Sequence, residues 1–321
     1  KRKANCLLQF DRDGTPFVIW GGNTIRLETS LENDKWLEKA EKELRETPEV
    51  VEEALVELRK LLKMFIYLNL PSEIPIPHHS SVGVGSNLLI LYCKCNKHLC
   101  FHNFYFKLSH PDYCYDLLPS AVRSGLQHSV VSILAPRDQH GRPYLCLFPE
   151  RWNPREVPLK EVFRCMQLGL EGAMVEPQTQ ICGITCVIDM KGLSLRHVMQ
   201  FTPSYAKMVL EWVQECVPMR LKAIHVVNQP YIFNMLLAMF KPFMSEKLRS
   251  RIHLHGNNLD SLMEHVDPKA LRKRHGGLLP EPEIPGDVLW KMLHHYEDDF
   301  KCDHTSIAVT MFCFYFVLKK K

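Results

Sequence analysis

Between positions 181 and 190 the chain runs almost without a polar break: Ile-Cys-Gly-Ile-Thr-Cys-Val-Ile-Asp-Met. A strand tolerates so little alternation only when both its faces are covered, as happens when helices pack on either side of a parallel sheet. The run therefore predicts a central strand over 181–190 of an α/β domain. Its surroundings agree. Residues 129–135 and 143–149 are apolar stretches separated by the polar, glycine-containing turn Arg137-Asp138-Gln139-His140-Gly141-Arg142, a strand-pair signal. Helical spacing returns over 157–175. Pro203 opens a helix to 217, proline being comfortable in the first helical turn. A strand over 220–227, an apolar helix over 230–240, a short basic helix over 245–251 and a strand over 252–254 complete the alternation. Strands interleaved with helices define an α/β core.

Upstream, residues 31–65 read as a helical hairpin divided at Thr47-Pro48-Glu49, where Thr47 can cap the new N-terminus. Val50, Ala54, Leu55, Leu58, Leu61 and Leu62 share one face, opposite Glu52, Glu53, Glu57 and Lys60. From 66 to 105 no periodicity survives. The expected organisation is a small N-terminal helical subdomain over 31–105, an α/β domain over 106–300 and a tail over 301–321. The apolar run 307–318 falls well short of the ~20 residues a spanning helix needs.

Net charge is +4, too small to imply nucleic acid. Twelve cysteines would mark a disulfide scaffold in a short secreted chain. Here several sit inside apolar runs, where cysteine acts as a small core residue, and the expected compartment is reducing and cytosolic. The chain begins at Lys1 without a methionine and without an apolar signal core, so the natural N-terminus is expected upstream.

Catalytic and metal readings find little support. Cys93, Cys95, His98, Cys100 and His102 have zinc-capable chemistry, but their spacing lacks the CxxC pairing of tetrahedral sites. Gly83-x-Gly85 lacks the third glycine and the lysine of a phosphate loop. No G-x-S-x-G elbow is present. Asp189 and His197 are better read as structural caps than as a dyad. No catalytic residue, no metal and no cofactor is expected.

Two features stand out. The stretch from Pro230 is apolar nearly all round: Tyr231, Ile232, Phe233, Met235, Leu236, Leu237, Met239 and Phe240, with Phe243 and Met244 beyond. Such a helix is deep core or a surface that moves between protein and membrane. Around it the chain is basic: ten cations against four acids between Pro218 and His275, a local charge of +6. Lys247 and Arg251 share a helix face, and Arg220 and Lys222 share a strand face. Anionic headgroups and plain solvent both suit such pairs.

Asp189-Met190-Lys191-Gly192, Phe201-Thr202-Pro203-Ser204, Ile224-His225-Val226-Val227-Asn228-Gln229-Pro230, Lys241-Pro242-Phe243, Ile252-His253-Leu254-His255-Gly256-Asn257-Asn258 and His275-Gly276-Gly277, in this order and spacing, resemble CRAL-TRIO lipid-binding domains over about 106–300. The resemblance implies a helical N-terminal subdomain and an α/β domain whose sheet floors a lipid cavity under a mobile helical lid. It implies a cavity wall of Phe163, Met166, Leu170, Ile184, Ile188, Phe201, Val209, Trp212, Val213, Val217, Met219 and Ile224. Met166 and Leu170 stand where a tocopherol-binding member carries serines, which favours a less polar ligand. It implies a lid over 228–251 carrying Tyr231, Phe233, Leu236, Leu237, Phe240 and Phe243. It also implies phosphoinositide contacts through Arg220, Lys222, Lys247 and Arg251, the same four residues that the basic pairs single out.

The resemblance fails over 66–105, where the family's Leu-Leu-Arg-Phe-Leu-Arg-like helix and its headgroup arginine are missing, and again after about 300. Residues 66–105 and 303–321 are therefore expected to come from a misassembled or alternatively spliced reading frame, which transcript sequencing tests. The function implied is a monomeric, non-enzymatic carrier of one hydrophobic lipid (tocopherol, retinoid, carotenoid or similar). It would be cytoplasmic, with transient visits to endosomal or other phosphoinositide-rich membranes, releasing its cargo where phosphatidylinositol bisphosphate is present. The competing reading is a phosphoinositide-binding trafficking adaptor without cargo.

Overall fold

The computed structural model describes residues 8–45 and 105–301 except 13, 21, 29–33, 134–135, 175, 218, 282–284 and 299, together with 47, 49, 50, 56 and 102. Two sheets organise the described residues. The first is an antiparallel meander of β1 (Leu8–Phe10), β2 (Pro16–Trp20) and β3 (Asn23–Arg26). The second has five strands in sequence order: β4 (Val131–Ser132), β5 (Tyr144–Leu147), β6 (Ile184–Asp189), β7 (Leu221–Val227) and β8 (Ile252–Gly256). Only β4 runs antiparallel to its neighbour; β5 to β8 are mutually parallel.

Parallel strands need crossovers, and helices supply them. Between β5 and β6 lie α2 (Leu159–Met174) and α3 (Pro177–Cys182), and between β6 and β7 lies α4 (Pro203–Glu211), which widens into a π turn over Trp212–Cys216. Between β7 and β8 come α5 (Phe233–Phe240) and α6 (Glu246–Arg249), and α7 (Leu259–Met263) follows β8. α1 (Asp34–Leu44) follows the meander, and α8 (Pro285–His295) lies near the C-terminal end of the described residues. Among the described residues no helix is long and apolar enough to cross a membrane.

The apolar run at 181–190 does form the central strand, but three residues later than the pattern suggests. Ile181 and Cys182 end α3, and Gly183 turns with φ 79° before β6 begins. A Cβ at Gly183 would lie 2.1 Å from the Arg220 carbonyl oxygen, which receives the Ile184 amide at 2.9 Å. Only glycine permits that approach.

Within β6, Ile184, Cys186 and Ile188 face the larger core, while Val187 joins Tyr144, Cys146, Phe148, Val227 and Leu262 on the other side. Both faces are covered, which is why alternation is absent. Cys114, Cys146, Cys165, Cys182, Cys186 and Cys216 are buried. Burial raises these thiols, that of Cys216 to about 12, so they remain protonated packing residues.

The N-terminal meander was not legible in the sequence. It packs Val18 against Val288 and Met292 of α8, and buried Trp20 donates from Nε1 to the Pro280 carbonyl at 2.9 Å. The expected hairpin over 31–65 is described only as α1 and the isolated residues 47, 49, 50 and 56; Ala54, Leu55, Leu58, Leu61 and Leu62 lie outside the described residues. Cys93, Cys95, His98, Cys100 and the Gly83-x-Gly85 pair also lie outside them, as do most of 66–105 and all of 303–321.

Candidate functional site

Between the sheet and α2, α4 and α5 lies a cavity of about 300 Å³. The strand period of two puts alternate residues on its floor: Leu145 and Leu147 of β5, Ile184, Cys186 and Ile188 of β6, Ile224 and Val226 of β7. A register shift at Ile184/Thr185 lets Leu221 join Ile224 on the same side. Helical spacing then supplies the walls. Phe163, Met166 and Leu170 come from α2; Phe201 precedes α4; Val209 lies on α4; Trp212 and Val213 lie on the π turn, followed by Val217 and Met219. All twelve wall positions implied by the resemblance are thus brought together on one cavity.

Phe163 meets Trp212 edge-on at 5.1 Å, which locks two walls together. Among the described lining residues, Tyr205 alone carries a hydroxyl. Burial, and then the Tyr113 beside it, raise its pKa, so it stays a neutral phenol.

The roof is α5. Phe233, Leu236, Leu237 and Phe240 point into the cavity, and Phe240 meets Phe201 edge-on at 5.9 Å. Two of the six lid residues do not line it. Tyr231 is 90% exposed, and half-buried Phe243 lies beyond α5, its backbone carbonyl bound by Gln214. Met244 and Leu248 line the cavity instead, because the chain turns between α5 and α6.

Both ends of the roof are fastened. At the near end Asn228, at φ 53°, donates from Nδ2 to Asp189 Oδ1 at 2.8 Å. At the far end the Gln214 side chain donates to the Phe243 carbonyl at 3.1 Å and accepts from the Ser245 amide at 2.7 Å.

Asp189 does not pair with His197. Its carboxylate accepts from Arg274 Nε at 2.9 Å and lies 3.1 Å from His275 Nε2. Burial alone would raise this carboxyl; the hydrogen bonds from His275 and Asn228 and the charge of Arg274 outweigh that and hold it well below the usual range. His197 completes a capping box on Ser194 and contacts the Trp152 carbonyl at 2.9 Å. Both residues are structural.

The four basic positions gather where β7 and β8 begin. Arg251 donates to the Leu221 carbonyl at 2.6 Å. Lys247, exposed on α6, stands one turn earlier. Arg220 donates through Nη1 to the Ile181 carbonyl at 2.8 Å and through Nη2 to Glu43 of α1 at 2.6 Å. Lys222 Nζ lies 3.7 Å from the same Glu43 oxygen. Sequence reasoning missed Glu43, which nothing local marks and which sits 177 residues from Arg220.

Also unanticipated is a stack of imidazoles behind the sheet. His225 of β7 lies 5.0, 5.2 and 5.3 Å, centroid to centroid, from His253, His255 and His265. The rings of His225, His253 and His255 lie within 29° of parallel, and His225 Nδ1 meets His255 Nε2 edge to edge at 2.9 Å. Among the described residues no group of three or more His, Cys, Asp or Glu could hold a metal ion.

A mostly parallel sheet, helical walls and a fastened roof define a module built around an apolar cavity. Residues 127–277 match the family model described as the CRAL/TRIO domain. It is 35% identical over 214 residues to the human protein named alpha-tocopherol transfer protein-like, a match covering 66% of this chain and 58% of that relative. Human clavesin-2 matches at 28% identity over 289 residues, covering 85% of this chain and 84% of the relative. Among solved structures, the crystal structure of Sfh5 matches 43% of this chain and 51% of its own at 19% identity, with a TM-score of 0.30.

Proposed function

We propose that this chain is a lipid-transfer protein that holds one small hydrophobic molecule in the cavity and releases it at membranes containing phosphatidylinositol bisphosphate. The observation that carries the reading is the cavity itself: about 300 Å³ lined by apolar side chains on floor, walls and roof. Each 100 Å² of ligand surface moved from water into such a lining contributes about 2.5 kcal/mol, and no charged side chain is among its described lining residues. A lining with a single hydroxyl favours a cargo of low polarity, a retinoid, carotenoid or tocopherol-like molecule. The relative named for alpha-tocopherol transfer supports the same class.

Release requires α5 to lift. The lid segment exposes Tyr231 and Met235, apolar side chains suited to a bilayer interface. Arg220, Lys222, Lys247 and Arg251 supply the charge that draws the protein to an anionic leaflet, at about 1 kcal/mol per cation near the surface. A headgroup that binds the lid-open form more tightly shifts the population toward it. This cycle places the protein in the cytoplasm, visiting endosomal or other phosphoinositide-rich membranes, and needs no covalent chemistry or cofactor.

Native mass spectrometry of the purified chain, followed by organic extraction, tests the reading. One bound apolar molecule per folded chain is the expected result. A folded chain that stays empty in the presence of hydrophobic lipids, yet binds phosphoinositide vesicles, would instead identify a trafficking adaptor.

A further inference from the structure

The cations assigned above to a membrane headgroup already hold an anion from within the chain. One oxygen of Glu43 sits 2.6 Å from Arg220 Nη2 and 3.7 Å from Lys222 Nζ, and the other lies 4.0 Å from Lys39 Nζ. A single oxygen shared between a guanidinium and an ammonium is the arrangement a phosphate oxygen would adopt there. Arg220 is otherwise fixed, because Nη1 is bound to the Ile181 carbonyl. Its Nη2 is the donor free to exchange one anion for another.

The bond from Arg220, then the charges of Arg220 and Lys222, lower the Glu43 pKa, so the carboxylate is ionised at neutral pH. Glu43 rides on α1, which rests on the domain through a small patch, Trp36, Ala40 and Leu44 against Ile181 and Cys182. Both sides of the ion pair are about one-third exposed, and exposed pairs of this kind are weak. The contact is strong enough to occupy the site and weak enough to be displaced.

We propose that Glu43 sets the headgroup selectivity of this edge by occupying Arg220 and Lys222, so that a polyphosphorylated headgroup displaces it and a singly charged one does not. The inference rests on the membrane-docking reading given above. A lipid bearing one negative charge trades a carboxylate for its own anion and gains little. A headgroup with several phosphates replaces Glu43 and still has oxygens left for Arg251 and Lys247. The N-terminal helix thereby imposes a charge threshold on docking.

The test is co-sedimentation of the full chain with two kinds of phosphatidylcholine vesicle, one containing phosphatidylinositol bisphosphate and one containing phosphatidylserine, matched for total charge. Glu43→Gln is expected to raise binding to phosphatidylserine vesicles about two- to fivefold and binding to bisphosphate vesicles by less, narrowing the discrimination. Glu41→Gln, on the same helix with the same change in net charge, is expected to leave the discrimination as it was. Lys222→Gln, which spares the Arg220 anchor, is expected to weaken binding to bisphosphate vesicles.

If Glu43→Gln leaves both affinities unchanged while Lys222→Gln lowers binding, the selectivity role is overturned and the docking surface stands. If Glu41→Gln narrows the discrimination as much, a general charge effect replaces the proposal. If neither Lys222→Gln nor Arg220→Ala changes vesicle binding, the docking surface itself is wrong and the proposal falls with it.

Discussion

Replacing His225 by asparagine is expected to make the protein less sensitive to mild acid, although the substitution itself costs stability at neutral pH. His225 is 2% exposed, and its Nδ1 lies 2.9 Å from His255 Nε2, while His255 Nδ1 lies 2.9 Å from the Ser261 hydroxyl. Burial first, then the neighbouring His255, His253 and His265, depress the His225 pKa from 6.5 to about 3. The unfolded chain therefore takes up a proton near pH 6.5 that the folded chain refuses until about pH 3. Stability is present above 6.5 and is lost as the pH falls below it.

At pH 5 the His225 contribution to that loss is about 2 kcal/mol. For a domain of this size it corresponds to a drop of roughly 4–8 °C in melting temperature. His253 and His255, also depressed by burial and by their imidazole neighbours, act in the same direction. Glu264 partly offsets this at His255, and His128, raised by the Ser124 carbonyl and by Glu156, acts in the opposite one. Lowered carboxylates contribute only tenths of a kcal/mol each (~0.2) at pH 5, because their unfolded pKa values lie at or below about 4.5.

The assay is thermal unfolding followed by near-ultraviolet circular dichroism at pH 7.5 and at pH 5, for the native chain and for His225→Asn. Asparagine sets an amide near the place of Nδ1 and cannot titrate. The variant's acid-induced drop should be smaller by about 4–8 °C. Equal drops in the two proteins would refute the reasoning, since both would then owe their acid sensitivity to other groups.

Asp189→Ala leaves half-buried Arg274 and buried His275 without their carboxylate, which should cost about 3–5 kcal/mol in urea unfolding; a loss below about 1 kcal/mol would show that the Glu150 partner of Arg274 suffices. Gln214→Ala removes both bonds at the far end of the roof, worth about 1 kcal/mol each, and is expected to speed exchange of a hydrophobic fluorophore roughly 5- to 30-fold while lowering overall stability by no more than about 2 kcal/mol. An unchanged exchange rate would mean that α5 is not the gate.

Sequence alone determined the alternation of strands and helices in the α/β domain. β6 was legible because burial on both faces removes alternation, α2 because helical spacing returns over 157–175, α4 because a proline opens its first turn, and α5 because its stretch is apolar nearly all round. Local periodicity also marked the basic pairs at 220/222 and 247/251 as neighbours, whereas Phe163, Met166, Ile184 and Ile224 were named as one wall only by the family resemblance.

Tertiary structure decided everything that depends on register or on docking between distant segments. Gly183 ends α3 and starts β6 because its backbone must pass the Arg220 carbonyl. The meander at 8–26 is stable only against α8, so its short strands carry too little pattern to be seen alone. His225 and the histidines of β8 are visible in the sequence, yet only the parallel register that pairs His225 with His253 stacks their rings. Glu43 becomes part of the basic edge only when α1 packs on α3. Periodicity is a property of neighbouring residues in the chain, whereas charge neutralisation and cavity closure are properties of surfaces that meet only after folding.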